Sequence, residues 1–502
     1  MRLFILITIT VFLGIGTTTN AQPTVFNKVY DAYNSIDGGN ALTQLSDSNY
    51  LIVGGYTNVG INGAWILKLN NLGNILWTKE YDLTIGGDNA YGIQELSNGN
   101  LLIAGTLHDT ATVTAKPYLM LLNSLGDSIW MKQYNGSLNI GNSDWATSLV
   151  LTPDGGFVVS GFTFMGPSFA SLDAWGFKTD SLGNLLWQKQ FDGHGLDDFF
   201  EKVIITPDSN IVCAGYTVLN MDTAFDFVVK LNQQGDTLWT KQIGGLGGTF
   251  DINSTQDGGF IGCGYIYINN TQRAKVYRLD NFGNLIWAKD FARGNGLSEY
   301  YSFSAIHELP NGNFMAAGVD FDYSQPVPGG SPRIRMMEFN ALGDSIWSKQ
   351  YPHSTGTDDD YLFDMKLTSD GGFIMCGYVI HNSPTKNDVL VIKVDSNRCA
   401  DTTCQLAVGV EETLNLQPPT LNFLIYPNPS QGSFTIAFNH TSSINEEYYV
   451  EVYNMLGAKI ITQVLVNQSI NLSAFNNGIY LIRITNSKGN ILFTNRLILQ
   501  KG

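Results

Sequence analysis

The sequence predicts an all-β protein in which a seven-bladed β-propeller, closed by its own N-terminal strand, precedes a small C-terminal β-sandwich. Three observations support this prediction. A segment recurs through most of the chain with a period of about 50 residues, which is typical of propellers and solenoids. The composition combines 53 glycines with only 14% charged residues, as expected for many strands joined by turns. The character of the sequence changes after residue 407, where the copies end.

The clearest copy of the repeat is the segment 152–191. It reads as a glycine turn, an apolar strand, an irregular loop, a second strand, a tight turn and a strand with tryptophan. The tryptophan recurs at Trp77, Trp130, Trp187, Trp239, Trp287 and Trp347. The glycine that ends the apolar strand recurs at Gly55, Gly105, Gly161, Gly215, Gly264, Gly318 and Gly377. The last copy therefore lacks its tryptophan strand.

The missing strand is predicted at the opposite end of the chain. The segment from Phe26 to Tyr30 (FNKVY) has the same pattern as the segment from Trp77 to Tyr81 (WTKEY). We expect it to complete the seventh blade, because a ring closed in this way leaves no open sheet edge between its ends. An open solenoid would instead need atypical polar caps at both ends.

Each copy is expected to form four antiparallel strands, a to d, and their connections fall into two kinds. The a–b and c–d turns are short and rich in Gly, Asp and Asn, whereas the b–c and d–a connections are long and irregular. Alternate connections lie at opposite edges of such a sheet. Function concentrates on variable loops held by a rigid scaffold, so the edge with the irregular loops is the candidate binding face.

The Trp-x-Lys strand is interpreted as scaffold, because one ligand site seldom needs six copies. A two-residue c–d turn would place Lys178 opposite Trp187, with its cation over the indole ring. The same register would pair Lys68 with Trp77, Lys230 with Trp239, and Arg278 with Trp287. An aromatic platform for sugars is the alternative interpretation of this strand.

The candidate binding rim consists of acidic, aromatic and basic residues at the irregular edge. It comprises Asp88, Asp144, Trp145, His194, Asp197, Asp198, Glu299, Tyr300, Arg333, Arg335, Asp359, Asp360 and Tyr361. The carboxylates are expected either to hold their own loops through backbone N–H groups or to bind cations or sugar hydroxyls. The two arginines are interpreted as surface residues or as a site for a carboxylated glycan.

No catalytic residue, cofactor or dedicated metal motif is predicted. The spacing of the acidic residues matches no calcium loop. A cation bound at the propeller mouth remains an alternative. His194 lies near two aspartates. Because no positioned Ser or Cys nucleophile accompanies them, this pair is weak evidence for a hydrolase.

Residues 1–21 have the features of a signal peptide, with Arg2 before an apolar stretch too short to span a bilayer and a small-residue cleavage site before Gln22. No second apolar segment of about 18 residues follows, so no transmembrane segment is expected. The net charge of -16 argues against a nucleic-acid partner.

The five cysteines divide into two groups. Cys213, Cys263 and Cys376 lie in apolar strands and are expected to be buried free thiols. Cys399 and Cys404 lie in a polar turn, and we expect them to form a disulfide, which an exported protein can retain.

The C-terminal part begins with a predicted linker, 408–423, and continues as a compact β module, 424–502. This module resembles the type A C-terminal sorting domain of the Bacteroidota type IX secretion system. The resemblance rests on Pro427, Asn428, Pro429, Gly432, Gly457, Gly478, Tyr480 and Lys501, in four motifs that occur in order. It implies that the secretion machinery is a partner and that the protein is released or anchored at the outer cell surface.

The propeller, residues 22–407, is expected to act as a binding or adhesion module for an extracellular glycan or protein. One alternative is a glycan-active hydrolase, which would need two carboxylates about 5–10 Å apart at the mouth. A sialidase is disfavoured because no arginine occurs between Arg2 and Arg273. A structural component of the surface layer is the other alternative.

Overall fold

A computed structural model describes most of the 502 residues. The described residues are 24–32, 37–58, 61–84, 87–109, 114–136, 143–165, 171–193, 196–220, 223–245, 247–268, 271–292, 299–322, 331–353, 358–382, 385–400, 423–428, 430–438, 448–454, 458–464, 469–486 and 491–501. The predicted signal peptide, nearly all of the predicted linker, and four predicted residues lie outside them: His194, Cys404, Pro429 and Gly457. The side chains of Glu299 and Tyr300 also lie outside the description.

The chain divides into two compact units, Met1–Gln405 and Leu406–Gly502. Within the described ranges, every helix or strand of the first unit is a β-strand. The strands are β1 Phe26–Tyr30, β2 Gly38–Gln44, β3 Tyr50–Asn58, β4 Ile61–Leu69, β5 Ile75–Tyr81, β6 Asp88–Glu95, β7 Leu101–Asp109, β8 Thr114–Leu122, β9 Ser128–Gln133, β10 Asp144–Leu151, β11 Phe157–Met165, β12 Ser171–Thr179, β13 Leu185–Phe191, β14 Asp197–Ile205, β15 Ile211–Asn220, β16 Thr223–Leu231, β17 Thr237–Ile243, β18 Gly247–Ser254, β19 Phe260–Ile268, β20 Thr271–Leu279, β21 Leu285–Phe291, β22 Glu299–Glu308, β23 Phe314–Asp322, β24 Arg333–Phe339, β25 Ser345–Gln350, β26 Asp359–Leu367, β27 Phe373–Asn382 and β28 Thr385–Val394.

These strands form successive antiparallel groups of four. We number them sheet 1 (β2–β5), sheet 2 (β6–β9), sheet 3 (β10–β13), sheet 4 (β14–β17), sheet 5 (β18–β21), sheet 6 (β22–β25) and sheet 7 (β26–β28 with β1). Single parallel pairs, Leu172 with Asp197 and Gln272 with Tyr300, join sheet 3 to sheet 4 and sheet 5 to sheet 6. The all-β prediction is therefore confirmed.

The N-terminal strand completes sheet 7, as its sequence pattern predicts. β1 pairs antiparallel with β28, with Phe26 opposite Lys393 and Tyr30 opposite Val389. The first strand of every sheet contacts the first strand of the next, and β26 of sheet 7 contacts β2 of sheet 1. At that junction the backbone N–H of Leu42 donates to the Asp364 carboxylate over 3.1 Å.

The two central strands of each sheet supply most of the core. Cys213, Cys263 and Cys376 are free and buried there, as predicted. In sheets 1 to 6 the last strand is the most exposed: in β5, for example, half-buried and exposed residues alternate. Cys399 is disulfide-bonded.

In six of the seven sheets, the outermost strand packs on the c–d turn of the following sheet, a contact that we call the turn clamp. Trp77 lies so close to Gly126 that a Cβ atom there would approach the indole to 3.0 Å. Lys79 forms an ion pair with Asp127 over 2.8 Å, and the Tyr81 hydroxyl donates to the carbonyl of Gly126. The same approach of ring to glycine recurs for Trp130 and Gly183, Trp187 and Gly235, Trp239 and Gly283, and Trp287 and Gly343.

The N-terminal strand makes the same clamp on sheet 1. A Cβ atom at Gly73 would lie 2.8 Å from the Phe26 ring. The Tyr30 hydroxyl donates to the carbonyl of Gly73 over 2.7 Å, and Lys28 Nζ donates to Asn74 Oδ1 over 2.9 Å. Sheet 7 therefore contacts sheet 1 through both its innermost and its outermost strands.

A second repeated contact lies within five of the seven sheets. Lys178 is opposite Trp187 in the predicted register, but its Nζ reaches Asp154 of the a–b turn over 2.5 Å. Equivalent ion pairs join Lys68 to Asp47, Lys230 to Asp208, Arg278 to Asp257, and Lys393 to Asp370. The expectation of a cation over the indole is corrected, because the turn carboxylate offers a stronger charge-assisted hydrogen bond.

The sheets that lack the turn aspartate also lack the basic partner. Sheets 2 and 6 have Asn98 and Asn311 in the turn. Opposite the tryptophan they carry Leu121 and Glu338 instead of a cation. The basic residue on strand c therefore depends on the charge of the turn rather than on the indole.

The second unit is built from two sheets around one core. Its strands are β29 Phe423–Tyr426, β30 Ser433–Phe438, β31 Tyr448–Tyr453, β32 Lys459–Val464, β33 Ser469–Asn471, β34 Gly478–Asn486 and β35 Ile491–Leu499. The sheet orders are β29-β30-β33 and β32-β31-β34-β35. Phe434 and Ile436 of the first sheet share a buried cluster with Val450 and Ile482 of the second.

The turn clamp predicts a large effect of removing the N-terminal strand. A chain without residues 22–31 should lose at least about 3 kcal/mol of unfolding free energy, the cost of truncating one buried phenylalanine. It would also leave β28 with an unpaired edge. Urea unfolding measures this loss, and Phe26→Ala should give a smaller one. An unchanged midpoint in the truncated chain would show that the clamp contributes little.

The ion pair of the a–b turn predicts a dependence of stability on pH. Burial acts to raise the pKa of Asp154, but hydrogen bonds from Lys178, Thr152 and Gly156 outweigh it and lower the pKa to about 2. Because this pKa lies below the ordinary value of about 3.9, the stabilisation is complete above that pH and is lost as the pH falls towards 2.

Lys178→Met should therefore lower the unfolding free energy near neutral pH, by on the order of 1 kcal/mol because Asp154 is exposed. It should also flatten the acid limb of the stability curve, since the Asp154 pKa returns towards its ordinary value. Lys189→Met, in the exposed pair with Asp236, should cost less than Lys178→Met. Chemical unfolding between about pH 2 and 7 measures both effects. An acid limb as steep in Lys178→Met as in the unmodified chain contradicts the assignment.

Candidate functional site

The predicted acidic residues at the irregular edge hold their own loops. Asp88, Asp144, Asp198 and Asp360 are each no more than 2% exposed. Each accepts a hydrogen bond from a backbone N–H of the d–a connection that precedes it: Leu83 and Thr84 donate to Asp88, Gly136 to Asp144, Gly193 to Asp198, and His353 to Asp360. In sheet 1, Asp37 accepts from Ala32 in the same way.

The cause of this arrangement is local. Each carboxylate stands two residues before the residue that pairs with the strand-b glycine, as in Asp144, Ala146 and Gly161. A buried backbone N–H needs an acceptor, and the carboxylate supplies one. Burial raises the pKa of Asp88 and of Asp198, although these hydrogen bonds oppose the shift. These carboxylates are therefore engaged in loop structure.

Several of the remaining predicted residues lie beside these hydrogen-bonded aspartates. Asp197 accepts from the backbone N–H of Leu172 over 2.9 Å. Arg335 pairs with buried Asp320 over 2.9 Å, and Arg333 lies 3.6 Å from Asp360. Burial raises the pKa of Asp359, although Ser331 and Arg333 oppose this. Both predicted arginines therefore already have carboxylate partners.

A row of half-buried aromatic rings crosses sheets 3, 4 and 5 near the irregular edge. Trp145 stacks on Phe162, with ring centroids 5.2 Å apart. Phe162 meets Phe199 edge-on at 5.0 Å, and Phe199 stacks on Tyr216 at 4.7 Å. We call this set, together with Tyr265, the aromatic row.

Gly248 continues the aromatic row into sheet 5. A Cβ atom at this position would lie 3.0 Å from both Tyr216 and Tyr265, so glycine leaves room for the two rings.

The aromatic row is not a repeated feature. The residue pair Trp145–Phe162 occupies the register position that Phe199–Tyr216 occupies in the next sheet. The same position holds Asn89 and Thr106 in sheet 2, and Ser302 and Val319 in sheet 6. Tyr361 and Tyr378 occupy the same position in sheet 7 and form a stacked pair at 4.8 Å that is separate from the row. The row thus gives the irregular edge one distinct sector.

Sheet 7 carries a cluster of histidines and aspartates that the sequence analysis missed. His353 lies in the connection after β25, Asp358 lies just before β26, and His381 lies near the end of β27. One potential ligand atom from each of these three lies within 4.8 Å of the others. His381 Nδ1 is 2.9 Å and His353 Nε2 is 3.4 Å from Asp358 Oδ2. We call these three residues the His–Asp cluster.

Strand register explains how residues so far apart in sequence meet. Asp360, Val379 and Asp388 lie opposite one another across β26, β27 and β28. Alternate residues share a face of a sheet, so Asp358, His381 and Lys386, two positions further along, lie on that same face. The signals in the sequence were a histidine four residues after the strand-b glycine Gly377 and the acidic run 358–360 that begins the preceding strand.

A group of three aspartates adjoins the His–Asp cluster. Asp31, Asp37 and Asp388 bring carboxylate oxygens within 4.8 Å of one another. Lys386 neutralises part of their charge, at 2.8 Å from Asp31 and 3.1 Å from Asp388. Burial, followed by the charges of Asp31 and Asp388, raises the pKa of Asp37 to about 6 against the backbone hydrogen bonds that it accepts.

In the C-terminal unit, the predicted motif residues fix the ends of strands. Asn428 accepts from the backbone N–H of Ile498 and donates to the carbonyl of Arg496, both over 2.8 Å. The Tyr480 hydroxyl donates to Asn476. Lys501 Nζ donates to the carbonyls of Ser473 and Phe475, and the Gly432 carbonyl accepts from the N–H of Leu472. These contacts hold the last strand in place.

Residues 424–500 match the family model described as the secretion system C-terminal sorting domain. The predicted sorting domain of a type IX secretion system is thus confirmed. The protein is exported and is attached at the outer cell surface or secreted, and its sorting domain implies interaction with the secretion machinery. The described residues contain no helix that is both long and apolar enough to cross a membrane.

Comparison with curated proteins gave no match. Solved structures that are similar include a protein of unknown function from Bacteroides caccae, with 12% identity over 63% of this chain and 94% of that chain and a TM-score of 0.37. The polysaccharide lyase Uly1 has 12% identity over 76% and 94% of the two chains, with a TM-score of 0.45. Sqt1 from Chaetomium thermophilum has 8% identity over 75% and 98%, with a TM-score of 0.41. Similarities this low support no conclusion about function.

The hydrogen bonds between the loops and the buried aspartates predict that Asp144 contributes to the stability of the fold. Asp144→Ala removes the acceptor for the Gly136 N–H and the Thr163 hydroxyl and should cost about 1–3 kcal/mol for the groups left unpaired. Asp144→Asn keeps one acceptor oxygen and should cost less. Urea unfolding of the two variants measures the difference. Two variants as stable as the unmodified chain would indicate that the carboxylate is not needed for the loop.

Proposed function

We propose that this exported chain is a binding module whose seven sheets form one closed β-propeller, and that it binds an extracellular glycan at the irregular edge. Closure is supported by the pairing of β1 with β28 and by the contact of β26 with β2. It is also supported by the turn clamp that Phe26 and Tyr30 make on sheet 1. An adhesion role at the cell surface follows from export combined with a rigid scaffold that presents variable loops.

The aromatic row is the observation that favours a glycan over a protein ligand. Sugar rings present apolar C–H faces that stack on aromatic side chains, while their hydroxyls need hydrogen-bond partners. Trp145 and Phe199 are half-buried and directly follow Asp144 and Asp198 in the sequence. The row therefore places aromatic faces beside polar loop groups, and it does so in three of the seven sheets.

The test is a glycan array with the exported chain, followed by affinity measurements on the hits. Trp145→Ala and Tyr216→Ala should each weaken binding by about tenfold or more, equivalent to about 1.4 kcal/mol. Phe282 is the matched control, because it is an aromatic residue 67% exposed on the c–d turn of sheet 5, at the opposite edge. Phe282→Ala should bind normally.

Three results would contradict the proposal. Loss of binding in Phe282→Ala, with Trp145→Ala unaffected, would move the site to the opposite edge. A chain that binds no glycan but captures a defined surface protein would make the ligand a protein, and a chain that binds neither would favour a structural role in the surface layer.

A glycan-active hydrolase is the second candidate, and one observation favours it. Burial, followed by the charges of Asp198 and Asp192, raises the pKa of Asp173 to about 6. A carboxyl group with such a pKa can act as a general acid near neutral pH. Release of sugar from an array hit, abolished by Asp173→Asn with binding retained, would establish this activity, whereas binding without turnover supports the module.

A further inference from the structure

We propose that the His–Asp cluster of sheet 7 is a zinc site, in which His353 Nε2, His381 Nδ1 and Asp358 Oδ2 are the ligands and a fourth position is open. This inference does not depend on the proposed glycan ligand. Two imidazole nitrogens and one carboxylate oxygen are ligand types that zinc uses, and three protein ligands with one open position are typical of zinc sites that act on a bound molecule.

The separations of the ligand atoms fit tetrahedral zinc. Bonds of about 2.0–2.1 Å at tetrahedral angles place neighbouring ligand atoms about 3.3–3.4 Å apart. The Asp358 Oδ2 atom is 3.4 Å from His353 Nε2 and 2.9 Å from His381 Nδ1. The two rings are nearly perpendicular, at 86°, with centroids 5.8 Å apart, and the three ligand atoms all lie within 4.8 Å of one another.

The hydrogen-bonding partners of the two imidazole rings support a cation between them. A neutral imidazole has one N–H donor, yet each ring has a carboxylate at both nitrogens. His381 has Asp358 at Nδ1 and Asp388 at Nε2, both at 2.9 Å. His353 has Asp360 at Nδ1 and Asp358 at Nε2. A metal ion at Asp358 removes this conflict, because each ring then needs only one proton.

The outer carboxylates would orient the ligands. With zinc bound, His353 donates its Nδ1–H to Asp360 and His381 donates its Nε2–H to Asp388. Such a carboxylate behind each metal-bound histidine fixes the tautomer and the ring orientation. The side chains of Asp360 and Asp388 are 0% and 4% exposed, so both are held rigidly in the sheet.

Access and charge are also consistent with an exchangeable ion. The side chains of His381 and Asp358 are 21% and 23% exposed, so solvent can reach the open position. Two cations adjoin the cluster, Arg333 beside Asp360 and Lys386 beside Asp388. Three carboxylates, Asp358, Asp360 and Asp388, outweigh them.

The test uses the full exported chain, stripped with a chelator and then given zinc chloride. After desalting, mass spectrometry for metals should find one zinc ion per chain, and zinc should raise the melting temperature. Asp358→Asn and His381→Gln should each weaken zinc binding at least tenfold in competition with a chromophoric chelator. Asp388→Asn should weaken it by about 10–100-fold without changing the stoichiometry.

Two matched variants serve as controls. His108→Gln alters a half-buried histidine of sheet 2, and Asp37→Asn alters the neighbouring aspartate group. Both should bind zinc as the unmodified chain does. Melting in the presence of chelator checks that every variant is folded before zinc is added.

The proposal is overturned if the stripped chain takes up no zinc, or if Asp358→Asn and His381→Gln bind it as tightly as the unmodified chain. It is also overturned if Asp37→Asn abolishes binding and calcium competes with zinc at equal concentration. That pattern would assign the ion to the all-oxygen group of Asp31, Asp37 and Asp388, because calcium prefers oxygen ligands.

Discussion

The turn clamp is the contact on which the arrangement of the seven sheets depends. In six of the seven sheets the outermost strand places an aromatic ring on a turn glycine of the next sheet, and its lysine donates to polar groups of the same turn. In three of these sheets a tyrosine hydroxyl also donates to the glycine carbonyl. Gly126 adopts a φ of 84°, a conformation that residues with a Cβ atom rarely take, and any Cβ there would collide with Trp77. One strand pattern thus fixes both the turn and the distance between neighbouring sheets, and Phe26 to Tyr30 extend it from the last sheet to the first.

Repetition of this scaffold also limits where a ligand can bind. The turn aspartates are paired with Lys or Arg of strand c, and the loop aspartates are bound to backbone N–H groups. The hydrogen-bonding capacity of these acidic residues is therefore used within the fold. Residues that differ from sheet to sheet are left for function. The aromatic row and the His–Asp cluster are two such features, and both lie where the irregular connections meet the strands.

The fold could be predicted from the sequence where its strands belong to repeated segments. The likeness of FNKVY to WTKEY was enough to pair β1 with β28, because all seven outermost strands share an aromatic residue followed two positions later by lysine. The candidate site was harder to predict from the sequence. Phe162 and Tyr216 look like ordinary apolar residues of strand b, and only their register with Trp145 and Phe199 reveals the aromatic row. His353 and His381 are separated by a strand, so their meeting at Asp358 depends on a pairing that no local pattern specifies.

The position of the His–Asp cluster follows from the assembly of sheet 7 out of strands from both ends of the first unit. Sheet 7 is assembled from the two ends of the first unit, and β28 pairs with β1 on one side and β27 on the other. Lys386 on this strand reaches Asp31, just after β1, and the carbonyl of Asn387 accepts from the N–H of Asp37, just before β2. Charged side chains from both ends of the first unit therefore converge at this junction, and their mutual repulsion must be balanced by cations. Lys386 and Arg333 supply part of that balance, and a metal ion on Asp358 would supply more while holding the connection between sheets 6 and 7 against β27. An ion at this position would therefore stabilise the junction where the two ends of the first unit meet. The same ion would present its open coordination position to solvent.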